Sequence, residues 1–222
     1  MTTIGLIGSG RIGSTVARLS VVAGHTVVLS NARGPETLKD LVAELGQRAR
    51  AATAAEAAEA GEIVVVSIPF RAYRSVPAGP LAAKTVIDTC NYSPQRDGHF
   101  AELDNRSITS SELLQRHLAQ SSVVKAFNNI LFKHLLSLSR TPGEPDRSFL
   151  PIAGDDPDAK ATVTAYLGSI GYGAVDAGPL SESWRQEPGT PVYGSPYGSV
   201  DDEAGNPAGA DTIRAALAAA RR

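Results

Sequence analysis

Short apolar runs alternate along the chain with stretches in which apolar residues recur at helical spacing. The runs predict buried strands, and the helical spacing predicts amphipathic helices between them. The predicted strands are residues 4–7, 26–29, 49–52, 63–68, 85–87, 123–127, 149–152 and 172–175. The predicted helices are residues 12–23, 35–45, 53–60, 110–117, 128–138, 155–167 and 211–222. This alternation predicts parallel βαβ units, and therefore an α/β fold with a doubly wound, mainly parallel sheet.

Local signals mark where several of these elements begin and end. Gly24 ends the first predicted helix, Thr53 caps a later one, and Ser110 or Ser111 caps the helix that runs to residue 117. Residues 90–105 read as a loop because they lack a sustained apolar period.

The last part of the chain has a different pattern. Residues 178–209 are rich in Gly, Pro and Ser and carry few aliphatic side chains. We therefore expect a nucleotide-binding domain over residues 1–178 and a C-terminal segment over residues 179–222. This segment is either a flexible tail or an ordered lid or dimer contact anchored by Trp184, Tyr193 and Tyr197, with Ile213 and Leu217 packing the last helix. We favour the ordered alternative.

Composition excludes several classes of protein. A chain of 222 residues with 42% hydrophobic residues can build one sizeable core, and a net charge of −2 argues against a large basic face for nucleic acid. The apolar runs are too short to span a bilayer, and the N-terminus lacks the basic region of a signal peptide. One cysteine and four scattered histidines predict neither an internal disulfide nor a metal site. We therefore expect a cytoplasmic globular protein without a nucleic-acid or membrane partner.

A glycine-rich turn follows the first predicted strand and opens the first predicted helix. Gly8, Gly10 and Gly13 match the pattern G-x-G-x-x-G, which holds the pyrophosphate of a dinucleotide in this strand–helix context. Gly8 allows the tight turn, Gly10 lets the backbone approach the pyrophosphate, and Gly13 permits close packing. The exposed N–H groups at the helix start then face the phosphates. We therefore expect a Rossmann-type domain.

The second predicted strand ends in Ser30 and Asn31, with Arg33 just beyond, where an NAD site usually has an acid. A carboxylate would repel a 2′-phosphate, whereas a hydroxyl, an amide and a guanidinium can bind one. This pattern favours NADP(H). The alternative is that Arg33 is a solvated loop residue and that selectivity is poor.

Ligands of such sheets lie beyond the carboxyl ends of the strands. Three such ends carry candidate residues. They are residues 67–70 after the fourth strand, residues 89–92 after the fifth, and residues 126–129 after the sixth. Asn128 and Asn129 either bind the carboxamide or the substrate or are ordinary cap or turn residues. Lys125 is either catalytic or part of a structural ion pair, and Cys90 is interpreted as a small buried thiol.

Six motifs in order resemble those of one known family: IGLIGSGRIG, VVLSNARG, GEIVVVSIPF, VVKAFNNI, PIAGDDPDAK and DAGPLSES. Over residues 2–193 the chain resembles the NADPH-dependent reductases of coenzyme F420, the 8-hydroxy-5-deazaflavin:NADP oxidoreductases. It is similar also to the N-terminal domain of the six-transmembrane metalloreductases. The resemblance implies a Rossmann-type domain, often a homodimer, with NADPH along the strand ends.

The resemblance also implies roles for individual residues. It assigns to the pyrophosphate Ser9, Gly10, Arg11 and Ile12. It assigns to the 2′-phosphate Ser30, Asn31 and Arg33. It assigns to the nicotinamide side Ser67, Ile68, Pro69 and Ala126. The deazaflavin would stack on the nicotinamide in a pocket closed by the region of Asn128 and the stretch after Leu180. The chain departs from the family by placing its arginine at position 33, by lacking a histidine near Asn128, and by its C-terminal SPYGSVDDEAGNPAGAD.

Three functions follow from these observations. The first is hydride transfer between NADP(H) and coenzyme F420, which needs no catalytic side chain because the cofactors carry the chemistry. The second is an NADPH-dependent reductase of another small molecule, a ketone, imine or flavin, with Lys125, Tyr92 or His99 as the candidate proton donor. The third is a non-catalytic NADP-binding module.

Overall fold

The computed structural model describes residues 1–141 and 143–222, and within them eight strands form one sheet in the order β3-β2-β1-β4-β5-β6-β7-β8. The strands are β1 Thr3–Ile7, β2 Thr26–Ser30, β3 Ala49–Ala51, β4 Ile63–Val66, β5 Thr85–Asp88, β6 Ser122–Lys125, β7 Phe149–Gly154 and β8 Gly173–Asp176. Strands β1 to β6 pair in parallel. The predicted Rossmann-type, mainly parallel α/β fold is confirmed.

Helices cover the sheet and fill most of the intervals between its strands. They are α1 Arg11–Val22, α2 Lys39–Leu45, α3 Ala54–Ala60, α4 Pro94–Asp97, α5 Ala101–Asp104, α6 Ser110–His117, α7 Phe132–Ser137, α8 Pro157–Ser169 and α9 Ala210–Ala219. Each is too short or too polar to span a lipid bilayer.

Strand β7 reverses the direction of the sheet. It pairs antiparallel with β6, where Lys125 lies opposite Ala153, and then parallel with β8. The predicted sheet was mainly parallel, and the pairing of β6 with β7 is its antiparallel exception. The connection through α7 returns the chain so that β7 runs back along β6, and a buried apolar strand carries no sequence mark of its direction.

Three local predictions were wrong. The cap of α6 is Thr109, whose hydroxyl accepts a hydrogen bond from the N–H of Glu112 in a reciprocal capping box, and not Ser110 or Ser111. Residues 90–105 contain the one-turn helices α4 and α5 and are not a continuous loop. Helix α7 begins only at Phe132, because the chain after Phe127, which has a φ of +63°, forms a turn at Asn128 and Asn129.

The C-terminal segment packs on the same core as the sheet. Val192, Tyr197 and Ile213 are fully buried in the cluster that also contains Leu6 of β1 and Leu150 of β7. This agrees with the ordered interpretation of residues 179–222. The boundary at residue 178 remains a prediction.

Candidate functional site

The predicted turn after β1 has a backbone that requires glycine at two positions. Gly8 adopts a φ of +100°, and its N–H donates to the Ser30 carbonyl at 3.0 Å. A Cβ on Gly8 would lie 2.2 Å from the Ser67 carbonyl oxygen, and a Cβ on Gly13 would lie 2.1 Å from the carbonyl oxygen of Gly8. These contacts bring β1, β4 and the start of α1 together at the carboxyl edge of the sheet.

Gly10 leaves space at the start of α1. Its φ of −74° and ψ of −163° suit any residue, and no atom lies within 4 Å of the position that a Cβ would occupy. The helix has neither a side-chain cap nor an acidic residue in its first turn, so its first N–H groups are free to bind an anion. Ser9 and Ile12 are partly exposed beside this opening, and the exposed Arg11 places its guanidinium 5.1 Å from the centre of the Phe132 ring. These features fit the pyrophosphate of a dinucleotide.

Ser30 does not offer its hydroxyl to a ligand. The side chain is fully buried, and its Oγ donates to the Leu6 carbonyl at 2.8 Å, while the Ser9 hydroxyl donates to the Ser30 carbonyl at 2.9 Å. The predicted role of Ser30 as a donor to a 2′-phosphate is therefore corrected to a structural role. It fixes the end of β2 against β1, and thereby the position of the loop that follows.

Asn31 and Arg33 lie in that loop. The Asn31 side chain shapes it, since its Nδ2 donates to Thr37 Oγ1 at 2.8 Å and its Oδ1 accepts the N–H of Arg33 at 2.9 Å. Arg33 is exposed, and in the described part of the chain its guanidinium has neither a hydrogen bond nor an ion pair. A carboxylate, that of Glu36, lies against Gly34 in the same loop. Arg33 is thus the available cation at the end of β2.

The ends of β4 and β6 flank the middle of the same edge. Ser67 and Ile68 are partly exposed, and Pro69 is exposed at the start of a 3₁₀ turn. Ala126 is fully buried, and the following Phe127 adopts a φ of +63°, which is strained for a side chain of that size. This backbone turn directs the chain after β6 across the strand ends.

Asn128 is buried in a cluster of amides and not exposed on a pocket wall. Its Nδ2 donates to Asn91 Oδ1 at 2.9 Å and to the Gln186 carbonyl at 2.7 Å, and Asn91 Nδ2 donates to the Asn128 carbonyl at 2.8 Å. The Oδ1 atoms of Asn128 and Asn129 and the Oε1 of Gln186 are buried without a partner. The cluster ties the end of β6 to the C-terminal segment and retains free acceptors.

Lys125 and Asp88 form a fully buried ion pair at the ends of β6 and β5, with Nζ and Oδ2 separated by 3.1 Å. The other Lys125 N–H groups donate to the Cys90 carbonyl and to Ser110 Oγ, and the carboxylate of Asp88 accepts a hydrogen bond from Ser111 at 2.8 Å. All three ammonium hydrogens therefore have partners. Of the two alternatives for Lys125, the geometry favours the structural ion pair.

Cys90 is buried, which confirms its interpretation as a small buried thiol. Burial raises the pKa of the thiol well above its usual range, and the nearby Asp88 carboxylate adds to the increase. The thiol is therefore protonated at neutral pH and is a poor nucleophile.

A cavity of about 310 Å³ lies between the start of α6 and the C-terminal segment. Its lining residues are Tyr92, Leu103, Arg106, Ile108, Thr109, Ser110, Trp184, Glu187, Pro188, Gly189, Thr190, Arg221 and Arg222. The stretch after Leu180 contributes Trp184 and residues 187–190 to this lining, whereas Asn128 does not line the cavity. The contribution of Arg106, Arg221 and Arg222 was not predicted from the sequence, although the adjacent arginines at positions 221 and 222 form a visible basic pair.

Comparison with known proteins identifies one matching family. Residues 3–92 match the family described as NADP oxidoreductase, coenzyme F420-dependent. Metalloreductase STEAP3 of Rattus norvegicus is 29% identical over 186 residues, which are 83% of this chain and 35% of that protein. The chain thus spans about a third of the length of this relative. The predicted resemblance to both groups is confirmed.

Two solved structures have the same fold over most of their length. A hypothetical protein of Sinorhizobium meliloti superimposes with a TM-score of 0.74 and 26% identity, covering 86% of this chain and 93% of the other. A protein of Arthrobacter sp. FB24, assigned to the F420-dependent NADP reductases, superimposes with a TM-score of 0.70 and 23% identity, covering 82% of this chain and 87% of the other.

Proposed function

We propose that this chain, whose residues 3–92 match the coenzyme F420-dependent NADP oxidoreductase family, transfers a hydride between NADP(H) and the deazaflavin coenzyme F420. The observation that carries the proposal is the open, uncapped start of α1 at Gly10, in the segment that matches the family. The homodimer and the cytoplasmic location belong to the same proposal and derive from the resemblance and the composition.

The residues of the chain have binding and orienting roles in this proposal. The N–H groups at the start of α1, with Ser9, Arg11 and Ile12, hold the pyrophosphate, and Asn31 and Arg33 face the 2′-phosphate. Ser67, Ile68 and Pro69 line the nicotinamide side, whereas the predicted contact of Ala126 is corrected because this residue is fully buried. When bound, the nicotinamide supplies the hydride, so the chain needs to hold the two rings at about 3–3.5 Å and exclude water.

The cavity beside β5 and β6 is the proposed place of the second ring. Tyr92 follows β5, and Ser110 hydrogen-bonds Lys125 at the end of β6, so the cavity adjoins the strand ends that flank the nicotinamide. Trp184 and the loop after it close the cavity on the other side. This arrangement supports entry of a planar molecule next to the cofactor.

Absorbance spectroscopy tests the reaction directly. When purified protein is mixed with NADPH and oxidised coenzyme F420, the deazaflavin absorbance is expected to fall at a rate proportional to the amount of protein added. The same mixture without protein, or with NADH in place of NADPH, is the control. Absence of turnover at every pH from about 5 to 8 in both directions would refute the deazaflavin as substrate.

A second candidate is a reductase of a ketone or imine, which needs a proton donor beside its substrate. Ser110 lines the cavity, accepts a hydrogen bond from Lys125 at 3.3 Å and donates one to Glu187 at 3.1 Å. In this second candidate, the connected polar groups of Lys125, Ser110 and Glu187 deliver a proton to a substrate in the cavity. His99 is a weaker candidate because it is exposed and bonded to Asp104, and Tyr92 donates to the same carboxylate.

Cofactor selectivity gives a separate prediction. Arg33→Ala is expected to weaken NADPH binding by about 1–3 kcal/mol, the value of a lost charge-assisted hydrogen bond, and to leave NADH binding nearly unchanged. Calorimetric titration with each cofactor measures both effects. Arg214→Ala, which removes an exposed guanidinium on α9, is the matched control. An equal loss for NADPH and NADH would contradict the role of Arg33.

A further inference from the structure

The charged groups around the cavity are unbalanced. Three arginines line it, Arg106, Arg221 and Arg222, against one acidic residue, Glu187, so the side chains of the lining residues carry two excess positive charges. The chain as a whole carries a net charge of −2. The cavity is therefore a local concentration of positive charge on a protein of the opposite sign.

The three arginines keep most of their hydrogen-bond donors free. In the part of the chain that the structure describes, none of them is in an ion pair, and no hydrogen bond uses the Arg106 side chain. Arg221 donates through Nη1 to the carbonyls of Ala218 and Ala220, and Arg222 donates through Nη2 to the Arg106 carbonyl. Since each guanidinium has five N–H donors, most remain available.

Contacts within the protein position the Arg222 side chain. Arg106 adopts a φ of +58°, an uncommon conformation for a residue other than glycine, and its carbonyl receives the Arg222 side chain. The Arg222 guanidinium also lies 5.9 Å from the centre of the Trp184 ring. Like charges that outnumber their counter-ions repel one another, and an anion bound between the guanidinium groups would relieve this repulsion.

We propose that the cavity is a binding site for a small organic dianion, with two acidic groups of the carboxylate or phosphate type. Two negative charges match the excess positive charge, and guanidinium groups bind such oxyanions through paired hydrogen bonds. The volume of about 310 Å³ equals about ten water molecules, which suits a small acid or the acidic part of a larger molecule. The three arginines and Glu187 lie outside the segment that matches the family.

The position of the cavity assigns this dianion to the co-substrate, and this part of the inference rests on the proposed function. Ser110 on the cavity wall is 3.3 Å from Lys125 Nζ, at the end of β6 next to the nicotinamide side. An acidic group bound by the arginines would therefore anchor the molecule that exchanges the hydride. Dianion binding itself does not depend on which molecule is reduced.

Trp184 reports on the cavity, because it is the chain's single tryptophan and lies in the cavity wall. Its fluorescence would be titrated with succinate, inorganic phosphate and the neutral succinamide, with calorimetry in parallel. Succinate or phosphate is expected to give a saturable signal that added salt weakens, and succinamide none. The double variant Arg106→Gln and Arg221→Gln is expected to raise the dissociation constant at least tenfold. Arg214→Gln on α9 is the matched control and should bind as the wild type does.

Three results would overturn the dianion site. They are no saturable heat or fluorescence change with either anion, equal affinity for succinamide, and an unchanged dissociation constant in the double variant. Turnover of coenzyme F420 and affinity for NADPH are measured on the same samples. Succinate binding without F420 turnover would refute the proposed function and leave the dianion site standing. F420 turnover without anion binding would support the proposed function and refute the dianion site.

Discussion

Lys125→Met is expected to lower the free energy of unfolding by about 3–5 kcal/mol, the cost of leaving one partner of a buried ion pair uncompensated. Lys125 and Asp88 are both fully buried, and the substitution leaves the Asp88 carboxylate inside the protein without its cation. Hydrogen bonds from Ser111 and from the N–H of Cys90 remain, but they do not replace a full charge. Urea unfolding monitored by circular dichroism measures the change.

The surface pair of Lys160 and Asp176 gives the matched control. Its Nζ and Oδ2 are 2.8 Å apart, but the Asp176 side chain is 56% exposed. Lys160→Met is therefore expected to cost less than about 1 kcal/mol. Adding Asp88→Asn to Lys125→Met should recover part of the loss, because it removes the unpaired charge. Equal losses for the two lysine variants, or no recovery in the double variant, would contradict a buried ion pair as the main cause.

This ion pair shows where sequence reasoning reaches its limit. Lys125 lies at the end of an apolar strand, and from the sequence its roles as catalyst and as ion-pair partner are equally acceptable. The choice depends on Asp88, Ser110 and Cys90, which lie on other elements and reach Lys125 only after the sheet has formed. Long-range partners of this kind leave no periodic signal in the sequence.

The fold was easier to predict from the sequence than the site, because the sequence signals of strands and helices are local. Apolar runs such as β4, buried at every position, and helical spacing in α1 predict their elements without knowledge of distant residues. The direction of β7 escaped prediction because side-chain burial is the same for parallel and antiparallel neighbours. The cavity was not predicted because Arg106 and Arg221 are far apart in the sequence and line the same cavity only when α9 packs on the sheet.

Within the site, the same distinction separates Gly8 from Ser30. The spacing of the glycine turn specifies a backbone shape that the chain forms by itself, so the positive φ of Gly8 could be expected. The Ser30 hydroxyl could bind either a ligand or the protein, and the carbonyl of Leu6 on the neighbouring strand decides the outcome. The proposed contact with the 2′-phosphate therefore rests on Arg33 rather than on the residue directly at the strand end.

Gly10→Ala is expected to raise the dissociation constant of NADPH at least about 30-fold, which corresponds to about 2 kcal/mol. The new methyl group would occupy the open space at the start of α1, where the backbone must approach the pyrophosphate closely. The fold should tolerate the change, because the backbone angles of Gly10 suit alanine and no protein atom lies within 4 Å of the new Cβ. Calorimetric titration with NADPH, together with urea unfolding, separates the two effects.

Gly209→Ala is a close structural control for this variant. Gly209 also caps a helix without a side-chain hydrogen bond, with a φ of −68° and a ψ of 165°, and has equally open surroundings. Replacing either capping glycine by alanine is expected to destabilise the protein by a similar amount, at most about 1 kcal/mol. Only Gly10→Ala should weaken NADPH binding, since only α1 carries the proposed pyrophosphate site. Equal NADPH affinity in the two variants would mean that the cofactor does not contact the start of α1, and the proposed function would lose the observation that carries it.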